Sequence, residues 1–433
     1  MNIIKKIDKV INMIDFLSAD KEHMKTPHSI VNEMLCQLPE NIWKNKERIF
    51  CDPCMGRGVF LLGCFRRLMV GLQVHFPDEN ERAAHICTNM LYGYDVSKLQ
   101  HGYTLRAFEL ISPALDEKYL NVYNMDSLKE GFDMKFDVVC GNPPYNEPTT
   151  SEKHSTKQKG QKATWTKFVD LSWDLLKDDG YLIYVTPNNW LRETNYLKKV
   201  MKKKNLVSAR IDSDLIKRQY FPKIGSTFTW FMVKNSEKTV KPKMYAGSNG
   251  GKLVELNVTL DDVIPQKNLD ATSLSIFNKV FKSNKKAVLL NTWTRKNEVN
   301  EKFHKREKTS THFYKALYSG NESNKYRWLN KQTSTANKHK AVIYRSSSSD
   351  IFYDYKNSTT DNVYYSIWKT REEAEHYVNL MNTGLYKFLI KNTKSAGAIV
   401  SVINKIPLIP YGTEEDEYSF FNLTEAEIKY VEG

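Results

Sequence analysis

The chain has 433 residues, 41% of them hydrophobic and 26% charged, a composition typical of a soluble globular protein large enough for two or three domains. Its 64 Lys and Arg against 50 Asp and Glu give a formal net charge of +14, which is equally consistent with a polyanionic partner such as nucleic acid and with a well-solvated surface. No apolar run reaches the length of a membrane span, and the six cysteines, all before residue 141, do not form a disulfide framework, so a reducing cytoplasm is expected.

The first part of the chain alternates between predicted helices and strands. Residues 1–40 are predicted to be helical without a signal peptide, and Pro27 occupies the first turn of a helix that begins at residue 28. Strands are predicted at 48–53, 90–95, 120–126 and 135–142, and helices at 59–72 and 103–115. This alternation predicts an α/β fold with a mostly parallel sheet and helices on both faces.

The pattern continues to about residue 235 and then changes. A helix closed by Gly180 is predicted over 165–180, another over 191–204, and strands over 181–187, 206–212 and 226–234. The polar, basic segment 146–163 is predicted to be a mobile loop that orders over bound DNA. Beyond a linker at 235–243, strand-like and helical segments mix, which predicts two domains, 1–237 and 238–433. Basic and aromatic residues interleave over 295–345, as suits phosphate contacts and base stacking.

Polar residues follow four successive predicted strands. The first turn, Asp52–Gly58, contains Gly56 and Gly58, which let backbone approach a ligand; a plain tight turn is the alternative. Leu61 stands where the nicotinamide-cofactor motif needs a third glycine, and no Lys-Ser/Thr follows as in a phosphate-binding loop. The other turns begin with Asp95, Asp126-Ser127 and Asn142-Pro143-Pro144-Tyr145.

These turns predict a nucleoside cofactor site, because open α/β sheets bind ligands beyond the carboxyl ends of their strands. A carboxylate at Asp95 is suited to accept from both ribose hydroxyls, and one at Asp126 from an adenine amino group. A helix N-cap is the alternative for Asp95, and for Asp126 taken alone the cap is the favoured interpretation.

The combination resembles the S-adenosylmethionine-dependent amino-methyltransferases, specifically the adenine-N6 DNA methyltransferases of the gamma class. Residues Asn142–Tyr145 match the family's Asn/Asp/Ser-Pro-Pro-Tyr/Phe/Trp motif. The order along the chain is also that of the family: Thr26-Pro27 first, then the glycine turn, then this motif and last a C-terminal domain. Segments 180–191 and 395–410 are also family-like, and the resemblance covers residues 20–235 well. It implies a Rossmann-like methyltransferase fold with a mostly parallel seven-stranded sheet, followed by a mixed α+β target-recognition domain.

The resemblance also implies site residues. The implied catalytic residues are Asn142, Pro143, Pro144, Tyr145 and, as a second aromatic wall, Phe221, with Phe228 as the alternative. The implied S-adenosylmethionine-binding residues are Thr26, Asp52, Pro53, Cys54, Gly56, Gly58, Asp95, Val96, Asp126, Ser127 and Asn142. The Asp52–Asp95 interval is longer than is usual in the family, which predicts an insertion around 72–88.

The motif suits methylation of an exocyclic amine. Acceptors around the amino hydrogens, here the Asn142 side-chain oxygen and the Pro143 carbonyl, localise the nitrogen lone pair, while Tyr145 stacks on the base. Positioning supplies most of the catalysis, and the adenine must first be flipped out of the duplex. No metal is required, and Cys51 and Cys54 lack a second ligand pair at zinc spacing.

The sequence therefore predicts a site-specific adenine DNA methyltransferase, acting as a monomer on double-stranded DNA in a prokaryotic cell or as a viral product in a host. A separate restriction endonuclease is a possible partner, but too few residues precede Thr26 for a fused nuclease there. Two alternatives stay open: the same chemistry on RNA adenine or on a protein glutamine amide, and a non-catalytic DNA-binding subunit of a restriction-modification complex.

Overall fold

A computed structural model describes residues 2–17, 26–115, 117–145, 163–191, 195–212, 214–221, 228–247, 252–265, 269–283, 304–320, 322–344, 350–393 and 403–433. The chain divides into two compact units, Met1–Leu260 (unit 1) and Asp261–Gly433 (unit 2). The predicted boundary at 237/238 lies inside unit 1, because two strands beyond it, Lys243–Gly247 and Leu253–Leu256, extend the central sheet.

Unit 1 is an α/β unit built on one large sheet. Its helices are α1 (Ile3–Leu17), α2 (His28–Leu35), α3 (Glu40–Lys44), α4 (Val59–Gly71), α5 (Glu79–Asn89), α6 (Lys98–Ile111), α7 (Trp165–Leu175), α8 (Tyr196–Lys203) and α9 (Asp214–Tyr220). Its strands are β1 (Phe50–Asp52), β2 (Leu91–Asp95), β3 (Asn121–Asn124), β4 (Phe136–Gly141), β5 (Leu176–Pro187), β6 (Asn205–Ile211), β7 (Phe228–Lys234), β8 (Lys243–Gly247) and β9 (Leu253–Leu256).

The strand order is β3-β2-β1-β4-β5-β7-β6-β8-β9. Strand β7 runs antiparallel to both of its neighbours, and β8 and β9 are antiparallel, whereas every other pair is parallel. The predicted mostly parallel sheet is thus confirmed, with seven strands from β3 to β6 and two more at the edge.

Several predicted element boundaries differ from the structure. The helix predicted over 165–180 ends at Leu175, because β5 begins at the next residue and the chain turns at Asp179, whose φ of 61° is left-handed. The insertion predicted around 72–88 contains most of helix α5, which Asp78 caps by accepting from two backbone N–H groups. Helix α6 ends at Ile111, before Pro113. Residues 146–162 and 395–402 lie outside the described residues.

Packing of α4 on the sheet places the first strand-end turn. Helix α4 buries Phe60, Leu61, Leu62 and Phe65 in the core of unit 1. It begins after Gly58, whose φ of 74° is left-handed, and a Cβ there would lie 2.8 Å from the Thr104 methyl carbon. The helix N-terminus therefore opens towards the carboxyl ends of the parallel strands.

Unit 2 mixes helices with two smaller sheets. Its helices are α10 (Ala271–Phe281), α11 (Arg371–Met381), α12 (Gly384–Thr393), α13 (Glu417–Phe420) and α14 (Glu425–Glu432). Its strands are β10 (His304–Lys305), β11 (Tyr314–Leu317), β12 (Tyr326–Leu329), β13 (His339–Tyr344), β14 (Phe352–Asp354), β15 (Ser358–Thr359) and β16 (Val363–Trp368). They form the sheets β10-β12-β11-β15 and β14-β13-β16. Among the described helices of both units, none is long and apolar enough to cross a bilayer.

Candidate active site

A cavity of about 410 Å³ lies at the carboxyl ends of β1, β2, β3 and β4. Most of the predicted site residues line it: Thr26, Asp52, Pro53, Cys54, Gly56, Asp95, Val96, Asp126, Ser127, Asn142, Pro143, Pro144 and Tyr145. Residues that the sequence did not single out also line it, among them Arg57, Gln100 and Phe168. Two predicted residues, Gly58 and Phe221, are not in the lining.

Asp95 joins the first two strand-end turns. Its carboxylate accepts from the Gly56 N–H at 2.9 Å and from the Ser97 N–H at 2.8 Å. The N-cap of α6 is Ser97, whose hydroxyl accepts from the Gln100 N–H, so the alternative of Asp95 as this cap is not realised. A carboxylate has about four acceptor positions, so Asp95 keeps the capacity to accept from a ligand hydroxyl.

Asp126 lies in a local turn at the cavity rim. It accepts from the Leu128 N–H at 3.1 Å and pairs with Lys129 at 2.8 Å. The hydrogen bond from Lys129 lowers the pKa of Asp126, which is therefore an ionised acceptor at neutral pH. Its neighbour Ser127 donates to the Pro53 carbonyl at 2.7 Å and so ties this turn to the first.

Asp52 has a different environment from the other two aspartates. It is 1% exposed, and burial raises its pKa to about 8, although the Cys54 N–H donates to it at 3.0 Å. Its carboxyl packs on Gly141, where a Cβ would lie 2.7 Å from Oδ1. Burial also raises the pKa of the Cys51 and Cys54 thiols. Within the described ranges, no group of three His, Cys, Asp or Glu side chains is placed to hold a metal ion.

Asn142 presents a free acceptor to the cavity. Its Nδ2 donates to the Thr26 hydroxyl at 2.9 Å, which sets the orientation of the amide. Its Oδ1 is buried and has no hydrogen-bond partner among the described residues. Tyr145 is 9% exposed, its hydroxyl is also buried with no partner in the part of the chain that the structure describes, and burial raises the pKa of Tyr145. Unpartnered buried polar atoms are rare in folded proteins, so a pair of them in one cavity indicates a ligand site.

The predicted second aromatic wall is not part of this cavity as described. Phe221 is 3% exposed and packs edge-on against Phe228, with ring centroids 4.7 Å apart, in the core of unit 1. Residues 222–227, which follow it, lie outside the described part of the chain. Phe168 of α7 is the aromatic residue on the cavity that the sequence did not suggest, because helical spacing alone does not tell which apolar residue meets a ligand.

The cavity suits a nucleoside cofactor that carries an amino acid. Asp95 offers an acceptor, and Val96, 72% exposed, offers an apolar surface beside it. The Gln100 Nε2, buried and without a described partner, offers a donor. These chemical types match the hydroxyls, base face and carboxylate of S-adenosylmethionine.

Comparisons with known proteins agree with this site. Residues 73–217 match the family model described as Eco57I restriction-modification methylase. A Mycoplasma pneumoniae protein described as an uncharacterized adenine-specific methylase is 24% identical over 304 residues, which cover 52% of this chain and 70% of that protein.

Two solved structures are among those similar to this chain. A class I S-adenosylmethionine-dependent methyltransferase from Listeria monocytogenes has a TM-score of 0.41 and 15% identity, over 55% of this chain and 73% of its own. The Type IIL restriction-modification enzyme MmeI, solved in complex with DNA, has a TM-score of 0.49 and 11% identity, over 98% of this chain and 70% of its own. Residues 73–217 are therefore similar to a methylase of the Eco57I restriction-modification family, and the expected cofactor is S-adenosylmethionine.

Proposed function

We propose that the protein methylates the N6 amino group of an adenine flipped out of a specific double-stranded DNA sequence, as a site-specific adenine DNA methyltransferase. The observation that carries this proposal is the buried, unpartnered Asn142 Oδ1 in the cavity, with the amide fixed by Thr26. The adenine specificity of the Mycoplasma relative supports it.

The chain's own residues prepare the amine. The Asn142 Oδ1 and the Pro143 carbonyl accept hydrogen bonds from the two amino hydrogens and so localise the lone pair on nitrogen. The Tyr145 ring provides a stacking surface that holds the base face-on. When bound, S-adenosylmethionine supplies an electrophilic methyl on a sulfonium. The amine nitrogen would bond to this methyl carbon as the sulfur–carbon bond breaks, leaving S-adenosylhomocysteine, and the alkylated amine would then release one proton to solvent.

The cofactor would be held by the strand-end turns. Asp95 would accept from the ribose hydroxyls, Asp126 from the adenine amino group of the cofactor, and the Gln100 amide would donate to a cofactor oxygen. Asp95 already fixes the Gly56 and Ser97 backbone, so its carboxylate is ordered before the ligand arrives.

A basic, aromatic sheet face in unit 2 supports DNA as the substrate. Lys305, Trp328 and Lys315 are aligned across β10, β12 and β11, so their side chains share one face. The Lys315 ammonium lies 3.8 Å from the Tyr326 ring centroid, and that of Lys308 lies 5.8 Å from Trp328. Lysines interleaved with aromatic rings suit phosphate contacts combined with stacking.

Transfer of a labelled methyl group tests the chemistry. The purified protein should transfer the label to adenine in duplex DNA. Asn142→Ala removes an acceptor at the reacting amine, so it should reduce the single-turnover rate at least about 100-fold. The dissociation constant of the cofactor should stay nearly unchanged. Asn121→Ala is the matched control, because Asn121 bonds the Cys87 and Thr88 carbonyls away from the cavity. Wild-type turnover by Asn142→Ala refutes the mechanism, and label found only in RNA or protein favours the alternative substrates.

Salt dependence tests the sheet face. Lys305→Ala and Lys315→Ala should each weaken DNA binding and lower the slope of log K against log salt by about one, since each removes one phosphate contact. Lys429→Ala, an exposed lysine on α14, should leave the slope unchanged. Equal slopes for all four proteins would remove the role of this face.

A further inference from the structure

A buried ionic cluster links helix α2 to the far strands of the central sheet. We call Glu33, Arg210, Asp212 and Trp230 the anchor cluster. The Arg210 Nη1 donates to both Glu33 oxygens at 2.7 and 2.6 Å, and the Trp230 Nε1 donates to Glu33 at 2.7 Å. Arg210 and Trp230 are direct cross-strand partners on β6 and β7, so the Glu33 carboxylate spans both strands.

The cluster is held rigidly from the strand side. Arg210 is 1% exposed, and its Nε donates to Asp212 at 2.9 Å. Asp212 also accepts from the Gly247 N–H at 3.0 Å, and a Cβ at Gly247 would lie 2.2 Å from Arg210 Nη2. The Arg210 guanidinium also lies over the Tyr220 ring, 5.1 Å from its centroid. These contacts leave the guanidinium little freedom, so it provides a fixed attachment point for α2.

Helix α2 connects this attachment point to the reacting amide. Glu33 lies on α2, which begins immediately after Thr26-Pro27, and the helical residues from His28 to Glu33 span about 8 Å. Thr26 is 3% exposed, and its hydroxyl is the partner of the Asn142 Nδ2. Any rotation or shift of α2 would therefore move the group that decides which end of the Asn142 amide faces the cavity.

We infer that the anchor cluster is a positioning device for Asn142, acting through α2 and Thr26, with Glu33 as its key positioning residue. This inference rests on the proposed function of Asn142 and extends it to residues that are not in the cavity lining. A charged cluster is suited to this role because it is directional: a buried carboxylate needs its donors in place, whereas apolar contacts would let the helix slide.

A double-mutant cycle tests the route. Glu33→Ala and Thr26→Val should each lower the single-turnover methyl-transfer rate about 10- to 100-fold, because an error of about 1 Å at the reacting group has effects of that size. If Glu33 acts through Thr26, the double variant should be no slower than the slower single variant. Glu33→Gln keeps an acceptor for Arg210 and Trp230, so it should retain much of the wild-type rate. This variant replaces Glu33→Ala in the test if Glu33→Ala folds poorly.

Asp137→Ala is the matched control for general destabilisation. Asp137 is a buried ion-pair carboxylate of the same sheet that accepts from Lys177 and the Ile49 N–H, at the opposite end of β4 from Asn142. Glu33→Ala should accelerate amide hydrogen exchange in α2, and Asp137→Ala should not. This exchange measurement needs no substrate, so it tests the anchor even if the proposed reaction is wrong.

The outcomes separate the two hypotheses. A wild-type chain that transfers no methyl group to DNA adenine overturns the proposed function. If the wild type does methylate DNA adenine, two results overturn the positioning role. One is a loss of rate in the double variant that equals the product of the two single losses. The other is an equal loss of rate in Glu33→Ala and Asp137→Ala. Non-additive losses with faster exchange confined to α2 in Glu33→Ala support it.

Discussion

Replacing Asp52 with asparagine should change how the stability of the protein depends on pH. Burial raises the pKa of Asp52 to about 8 in the native state, whereas an unfolded aspartate titrates near 3.9. Between these values the native state holds a proton that the unfolded state has released. The contribution of Asp52 is therefore fully present below about pH 4 and is lost as the pH rises towards 8.

The size of the effect follows from one proton. The free energy of unfolding of the wild type, minus that of Asp52→Asn, should fall by about 1.4 kcal/mol per pH unit, or about 3 kcal/mol between pH 5 and 7.5. Asparagine mimics the neutral acid and keeps an acceptor for the Cys54 N–H, so the other titrations cancel in the difference. Urea unfolding followed by fluorescence at several pH values measures it.

A second aspartate of the same sheet is expected to behave in the opposite way. Burial acts to raise the pKa of Asp137, but hydrogen bonds from Lys177, Ile49 and Arg48 lower it overall. Its contribution is present above the unfolded pKa and is lost as the pH falls. The difference in the free energy of unfolding between the wild type and Asp137→Asn should thus be constant from pH 5 to 8. A constant difference for Asp52→Asn as well would refute the view that Asp52 is protonated at neutral pH.

Three further outcomes are expected from the same geometry. Gly141→Ala should lower the free energy of unfolding, measured in urea, by about 2 kcal/mol, because the new Cβ would lie 2.7 Å from Asp52 Oδ1. Gly131→Ala is the control: Gly131 has open space around it, so the free energy of unfolding should change by less than about 0.5 kcal/mol. Asp95→Ala should weaken binding of S-adenosylhomocysteine about 10- to 100-fold by calorimetry, since it removes a charged acceptor. Burial acts to raise the pKa of Glu427, but hydrogen bonds, led by that from Lys279, outweigh it and lower this pKa to about 2. The free energy of unfolding of the wild type, minus that of Glu427→Gln, should therefore grow as the pH rises from 2 to 4.5. Urea unfolding at acid pH measures this difference.

The cavity could be predicted from the sequence because its main residues follow strands. Parallel strands bring their carboxyl ends to one edge, so Asp52, Asp95, Asp126 and Asn142 had to meet once β1 to β4 were recognised. Their individual partners were not predictable. Whether Asp95 caps a helix or ties two turns together depends on the backbone positions of Gly56 and Ser97, which are set by packing.

Residues contributed by helices were among those missed. Gln100 and Phe168 reach the cavity from α6 and α7, and their place depends on how each helix is rotated on the sheet. The Phe221 expectation came from the family resemblance, and in the structure this ring packs on Phe228. The Glu33–Arg210 pair, 177 residues apart, has no local signal at all.

The polar groups around the cavity divide into two kinds, and the division argues for function more strongly than their identity does. Ser127 and Asp95 have protein partners and hold the turns in shape. The Asn142 Oδ1 and Gln100 Nε2 are buried without described partners, and each such atom costs the free protein about 1–3 kcal/mol. A ligand that satisfies both atoms would recover this cost on binding, as the proposed base amine and a cofactor oxygen would. The groups that destabilise the free protein are therefore the ones that we propose select its two substrates.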